Sequence, residues 1–581
     1  MTNVAMARIG SIAAILLLSL SWTPQTPAAE PSANRLAKGE AASGAASQQM
    51  VPRSFDIPQV EFINQQIRRG WQDHELTPSP AASDGEWCRR VYLDLLGRTP
   101  TVEELDKFVG AHASDKKLVL IDRLLSEEYV DEYAANWATL WTNILIGRSG
   151  GNERMTRTNR AGLTQYLRRS FQTGKPYDRL VRELISATGT SKPGGKDFNG
   201  AVNFLAMKLE DNGVQAAAQT SQVFLGVRVQ CTQCHDHPFN NWQQDQFWQF
   251  NAFFRQTAAL RRFEGGRDIA YIELVDQDFA GEGKDPDEAE VYYEQRNGLL
   301  KVAYPVFTDA DGTKTELSKS GFVAQVNRRH ELAELVAKSQ WMPRAIVNRM
   351  WAHFLGYGMT KPMDDLGPHN TPTHPELLDR LAADFKSEGF DLKKLIRWIT
   401  LSEAYSLASR ATSGNKLDDP TLGEKPMFSR FYLRQMRAEE LYNSLLSATA
   451  ADRTRGKAEE QEAARRKWLD QFVIAFGTDE NDETTTFNGT IPQTLMMFNG
   501  ELIKGATSGQ KGTLLERVAS DAKLNPNQKI DYLFRAALSR PATTQERTAA
   551  TRILRGRPNA VDALADLWWA LLNTNEFILN H

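Results

Sequence analysis

Cysteine is scarce in this chain: three in 581 residues are too few to staple a scaffold with disulfides. An excess of charge of one sign is also missing. The formal net charge is -3 and no basic stripe interleaved with aromatics occurs, which argues against nucleic-acid binding. The apolar run Ile9 through Leu20 falls short of the roughly 20 residues a membrane-spanning helix requires. A nucleophile elbow, a phosphate loop and a dinucleotide fingerprint are absent too, so none of those signatures names a reaction.

What is present at the start reads as an address. Arg8 precedes the apolar run, and Pro27-Ala28-Ala29 supplies small residues before Glu30, the pattern of a signal peptide over 1–29 cleaved near Ala28 or Ala29. Residues 30–52, rich in Ala, Ser, Gln and Pro, are expected to form a flexible leader. The mature protein is therefore expected outside the cytoplasm, periplasmic or extracellular, with no transmembrane anchor. With 41% hydrophobic residues over this length, it can bury the cores of two or more domains.

Periodicity predicts helices almost throughout from Val60 to about Thr188, inside a helical domain expected over 53–262. Thr101-Val102-Glu103-Glu104 is a capping box, in which threonine and glutamate each satisfy a backbone N–H of the other. Leu118, Ile121, Leu124 and Leu125, then Tyr133, Trp137, Leu140, Trp141 and Ile144, recur at helical spacing and mark core faces. Leu96-Gly97-Arg98-Thr99-Pro100-Thr101 with Glu104 is echoed by Leu538-Ser539-Arg540-Pro541-Ala542-Thr543 with Glu546, which predicts two related helix-turn-helix joints. Asn297-Gly298 and Asp311-Gly312 mark hairpins in a β insertion over 263–328, and helices resume over 329–581. The expected fold is mainly α, an irregular multi-helix two-lobed protein with a small β-hairpin insertion.

Two of the cysteines fall in Cys231-Thr232-Gln233-Cys234-His235-Asp236-His237-Pro238. C-x-x-C-H is the spacing of covalent c-type haem attachment, with Cys231 and Cys234 as thioether sulfurs and His235 as the proximal iron ligand. The same stretch admits two other readings. With His237 it completes a Cys2His2 set suited to zinc or another transition metal. The cysteines can also simply form a disulfide, with no cofactor at all. After Pro238 the density of Phe and Trp up to Phe254 can line a porphyrin or fill an ordinary core helix. Cys88, beside residues at helical spacing, reads as a small buried hydrophobe. A second polar constellation, Asp364, Asp365, His369 and His374, offers carboxylate and imidazole for metal binding or proton exchange. Against that, Thr373-His374-Pro375-Glu376 also has the form of a capping box.

Arg89-Arg90-Val91-Tyr92-Leu93-Asp94-Leu95-Leu96-Gly97, Phe224-Leu225-Gly226-Val227 leading to the cysteine motif, Val347-Asn348-Arg349-Met350-Trp351, Asp364-Asp365-Leu366-Gly367 and His374-Pro375-Glu376-Leu377-Leu378 together resemble a pair of planctomycete secreted domains. These are the cytochrome-C-like domain and its usual C-terminal partner, both chiefly domains of unknown function. The cytochrome-like label implies Cys231, Cys234 and His235 as a haem c site. Some relatives carry a further N-terminal cytochrome domain, whereas this chain has a single C-x-x-C-H. Three function classes follow: an exported haem protein of redox or electron transfer with redox or cell-envelope partners, a haem-free metalloenzyme such as a hydrolase that uses the Cys/His cluster with Asp364, Asp365, His369 or His374, and a non-catalytic scaffold whose cysteines form a disulfide.

Overall fold

The computed structural model describes residues 55–148, 158–265, 269–453, 458–477, 490–557 and 559–581. The expected signal peptide and leader lie outside these residues. The rest is mainly helical with small antiparallel hairpins, as the periodicity predicts.

Local signals set the helix ends. The Asp84–Leu96 helix starts where the Ser83 hydroxyl accepts from the Glu86 N–H and stops at Gly97, whose φ of 70° suits glycine. The Thr101–Glu104 capping box forms as expected. The one expected at Thr373 does not: His374 is the N-cap of the Pro375–Ser387 helix without a side-chain capping bond, and Thr373 Oγ1 instead lies 3.0 Å from His374 Nδ1.

The two echoed joints are the same device. Arg98 grips Glu104 with two bonds of 2.8 and 3.0 Å and reaches Glu132 at 2.5 Å. Arg540 grips Glu546 with bonds of 2.9 and 2.8 Å and reaches Glu576 at 2.6 Å. In both, the capping glutamate is held by a fork of guanidinium N–H groups, a geometry arginine has and lysine lacks.

Hairpins pair Val291–Glu294 with Leu300–Ala303 around Asn297-Gly298, and Val306–Thr308 with Lys314–Glu316 around Asp311-Gly312. A third sheet begins before the expected insertion: Thr257–Phe263 pairs with Ile269–Asp276, which also takes up Gly189–Thr190.

Buried apolar side chains gather in two main cores. One runs from Val60 to Tyr432; the other joins Leu93 and Val102 to residues between Met436 and Ile578. The larger core thus continues across residue 329, and the two cores divide near residue 435.

The Asp84–Leu96 helix joins them, through residues that lie far apart in sequence. Arg89 donates to the carbonyls of Ala537 at 2.8 Å and Phe577 at 2.7 Å. Arg90 donates to Leu407 O at 3.1 Å with its guanidinium 3.5 Å from the centre of the Phe431 ring. The Asp94 carboxylate, fully buried, accepts from Tyr405 Oη at 2.7 Å, Asn580 Nδ2 at 2.8 Å and the Arg434 guanidinium. A buried charge survives best when paired and hydrogen-bonded: Asp94 pairs with Arg434 and Arg90 with Glu86, whereas Arg89 is held by backbone carbonyls alone.

Candidate functional site

A helical stretch delivers the cysteine motif. Val214–Thr220 continues as a wider π turn, Ser221–Leu225, and ends at Gly226 with φ 67°. A Cβ on Gly226 would stand 2.9 Å from that of Ala345, so glycine lets the chain press against the Trp341–Leu355 helix. From there Val227 and Val229 point into the core, while Arg228 between them faces Asp364.

The motif loop is anchored by the residues between its cysteines. Thr232 is buried and its hydroxyl donates to Val229 O at 2.6 Å. The Gln233 carbonyl accepts from Gln244 Nε2 at 3.2 Å and Trp248 Nε1 at 3.1 Å. Gln244 Nε2 also donates to Glu294 O at 2.9 Å, and Trp248 stacks on Tyr293, so the β insertion braces the loop. With Thr232 buried and the Gln233 carbonyl held, Cys231 and Cys234 are left exposed, both as free thiols. Cys88 is buried, and burial pushes its thiol well above the ordinary range, as suits a small apolar core residue.

The two histidines differ in what their rings can do. His235 Nδ1 lies 2.7 Å from the Asp236 carbonyl, which can only accept, so Nδ1 carries the proton and Nε2 keeps its lone pair. Metal-ligating histidines are commonly oriented by such a bond. His237 is the reverse. Its Nδ1 accepts from the N–H groups of Phe239 at 3.2 Å and Asn240 at 2.9 Å, so the proton of its neutral ring sits on Nε2. Burial holds its pKa below the ordinary value against the pull of Asp365. A ring in that state has no lone pair left for zinc. Among the described residues no group of three or more His, Cys, Asp or Glu side chains is placed to hold a metal ion.

The aromatic run after Pro238 fills the core: Phe247, Phe250, Phe253 and Phe254 are buried there. Phe239 is the exception, 78% exposed beside the motif.

The second constellation divides into three environments. Asp364, 1% exposed, accepts from Gln222 Nε2 at 2.8 Å and Arg228 Nε at 2.7 Å, tying the segment before Cys231 to the later helices. Asp365 and His369 pair through Oδ2 and Nε2 at 3.0 Å, and the His369 ring lies 5.6 Å from that of His237. His374 is buried against Gly70 and Phe428, and burial pushes its pKa down to about 4. The loop bearing Asp364 and Asp365 is set by Asn348, whose amide donates to Thr360 Oγ1 and Met363 O, both at 2.8 Å, and by the Leu366 N–H, 2.7 Å from Gly226 O. The structure therefore brings His237 and Asn240 beside Asp365 and His369. About 130 residues separate the two halves in sequence, and of the residues the metalloenzyme reading joined to the Cys/His motif, Asp365 and His369 lie beside His237 while His374 is packed elsewhere.

Two family models match the chain in succession. PSCyt2, a protein of unknown function (DUF1549), matches residues 62–259, and PSD1, a protein of unknown function (DUF1553), matches residues 328–554. The cysteine motif lies in the first and the Asp365–His369 pair in the second. No curated protein and no solved structure matches.

Proposed function

Starting from a chain that is a PSCyt2 domain followed by a PSD1 domain, we propose an exported c-type-haem redox protein. Cys231 and Cys234 are its attachment sulfurs, His235 is its proximal ligand, and its partners are redox or cell-envelope proteins. The observation that carries the reading is the division of labour within the motif: Thr232 and Gln233 are bound down, while both thiols face outward. His235 keeps a bare Nε2. This donor set fits haem c, which when bound supplies one-electron transfer. The chain's own part is to hold the loop against Gln244 and Trp248 and to orient His235 through the Asp236 carbonyl. The aromatic residues contribute mainly to the core, so the attachment loop lies at an exposed surface.

The test is protein made with host haem-attachment machinery, denatured and examined by visible spectroscopy. Haem absorbance that stays with the polypeptide is expected, and is lost in Cys231→Ser and Cys234→Ser. Denatured native protein without covalent haem, but with Cys231 linked to Cys234 or with zinc bound, overturns the reading.

A further inference from the structure

A cleft of about 1000 Å³ opens where the two cores meet, and it contains none of the residues of the cysteine motif. One wall is built from Leu96 of the larger core and from side chains between Asn136 and Thr164. The other comes from residues 439–536, where Ala448, Leu514 and Ala536 belong to the second core. A volume of this size at a seam between domains is a common setting for a small-molecule site, although such sites are mostly apolar. This one is polar. Among the described residues, five arginines and five carboxylates line it, so the charges of its walls sum to zero. Several are engaged already: Arg98 with Glu132, Arg148 with Glu439, and Asp452 with Arg465. Asn443, Arg453, Asp470 and Arg517 are different. They are exposed on the walls, and their side chains enter no hydrogen bond or ion pair with another described residue. Beside them Leu446, Leu469 and Val473 offer half-buried apolar surface.

We propose that this cleft binds a neutral oligosaccharide of di- or trisaccharide size. A pyranose ring has an apolar C–H face and an edge of hydroxyls that both donate and accept. The cleft offers a counterpart to each. Leu446, Leu469 and Val473 supply apolar surface for the C–H face, while the planar ends of Asn443, Asp470 and Arg517 each present two polar atoms to neighbouring hydroxyls. The balance of charge selects against an anion, because every guanidinium on the walls is matched by a carboxylate. An extended peptide is disfavoured on other grounds. The walls are helices and turns with no strand among the described residues, and helical backbone groups are already bonded, so a peptide main chain finds no partner there. The first family domain contributes one wall and the second the other, so neither contains the site alone. The site stands whether or not haem is attached at Cys231 and Cys234.

The test uses the full chain with Cys231→Ser and Cys234→Ser, which separates it from the haem reading. Neutral trisaccharides of glucose, mannose, galactose and xylose serve as probes in saturation-transfer NMR, beside trigalacturonate and tripeptides of alanine and serine. Transfer to at least one neutral trisaccharide is expected, and none to trigalacturonate or the tripeptides. Asn443→Ala, a change at an exposed side chain without a partner, is expected to weaken that binding roughly three- to tenfold, the worth of one hydrogen bond. Thr139→Trp, which fills the cleft from the other wall, is expected to abolish binding while the urea midpoint stays at the parent's value. Absence of transfer to every neutral trisaccharide overturns the proposal. So does preferential binding of trigalacturonate or a tripeptide, or a trisaccharide whose binding neither variant weakens.

Discussion

Replacing Asp94 with alanine removes the carboxylate on which one early helix and one late strand converge. Its partners in the folded chain are Tyr405 Oη, Asn580 Nδ2 and the Arg434 guanidinium, and the site is fully buried. Removing one member of a buried ion pair costs about 3–5 kcal/mol, because the charge left behind stays desolvated. The two neutral donors add to this only partly, since bonds within one network are not additive. A loss of roughly 4 kcal/mol is therefore expected for Asp94→Ala, read as a fall in the urea midpoint at constant slope. Combining it with Arg434→Met is expected to recover part of the loss, since removing both charges relieves the desolvation. A loss below about 1 kcal/mol, typical of an exposed pair, would refute the reasoning.

Acid is expected to weaken the fold through its buried histidines. Burial pushes His374 down to about 4 and His353 to about 3, so below the unfolded value near 6.5 the unfolded chain binds protons that the folded chain refuses. Stability is then lost as pH falls from about 6.5 toward 4, by up to roughly 1.4 kcal/mol per pH unit for each histidine. Urea unfolding across that range is expected to show a shallower acid limb in His374→Leu, and an unchanged limb contradicts the assignment. Gly85→Ala sets helix propensity against space. Alanine favours a helix by about 1 kcal/mol over glycine, but a Cβ here would lie 2.1 Å from the Ser539 carbonyl oxygen. Overpacking of this kind costs about 1–3 kcal/mol or more. The thermal midpoint is expected to fall, and a rise would show that the contact yields.

Much of the architecture was legible because it is local. The capping box at Thr101, the hairpins at Asn297-Gly298 and Asp311-Gly312, and the core faces at Tyr133, Trp137 and Trp141 depend on neighbours within a few residues. The Arg98 and Arg540 joints were visible as repeated text, although their forked bonds were not. Asp364 and His374 illustrate the limit. Both belong to polar motifs that look alike in sequence, yet one pins Arg228 and the other is packed against Gly70. Likewise, the Phe-rich run after Pro238 reads equally as cofactor wall or core, since periodicity gives a face and not what it faces. His237 beside His369 has no local signature, because two distant loops create it.

The grip of the Asp84–Leu96 helix on residues 577–580 imposes an order on how the chain can acquire its shape. Asn580 follows its partner Asp94 by 486 residues. Closing a free loop of that length costs about 5 kcal/mol in chain entropy, which is offset only in part by the bonds Asp94 already makes to Tyr405 and Arg434. Arg89 depends on the late segment alone, since its acceptors are the carbonyls of Ala537 and Phe577, whereas Arg90 and Asp94 also bond residues 405–434. The same helix thus carries contacts of two ranges, to residues 405–434 and to residues 577–580.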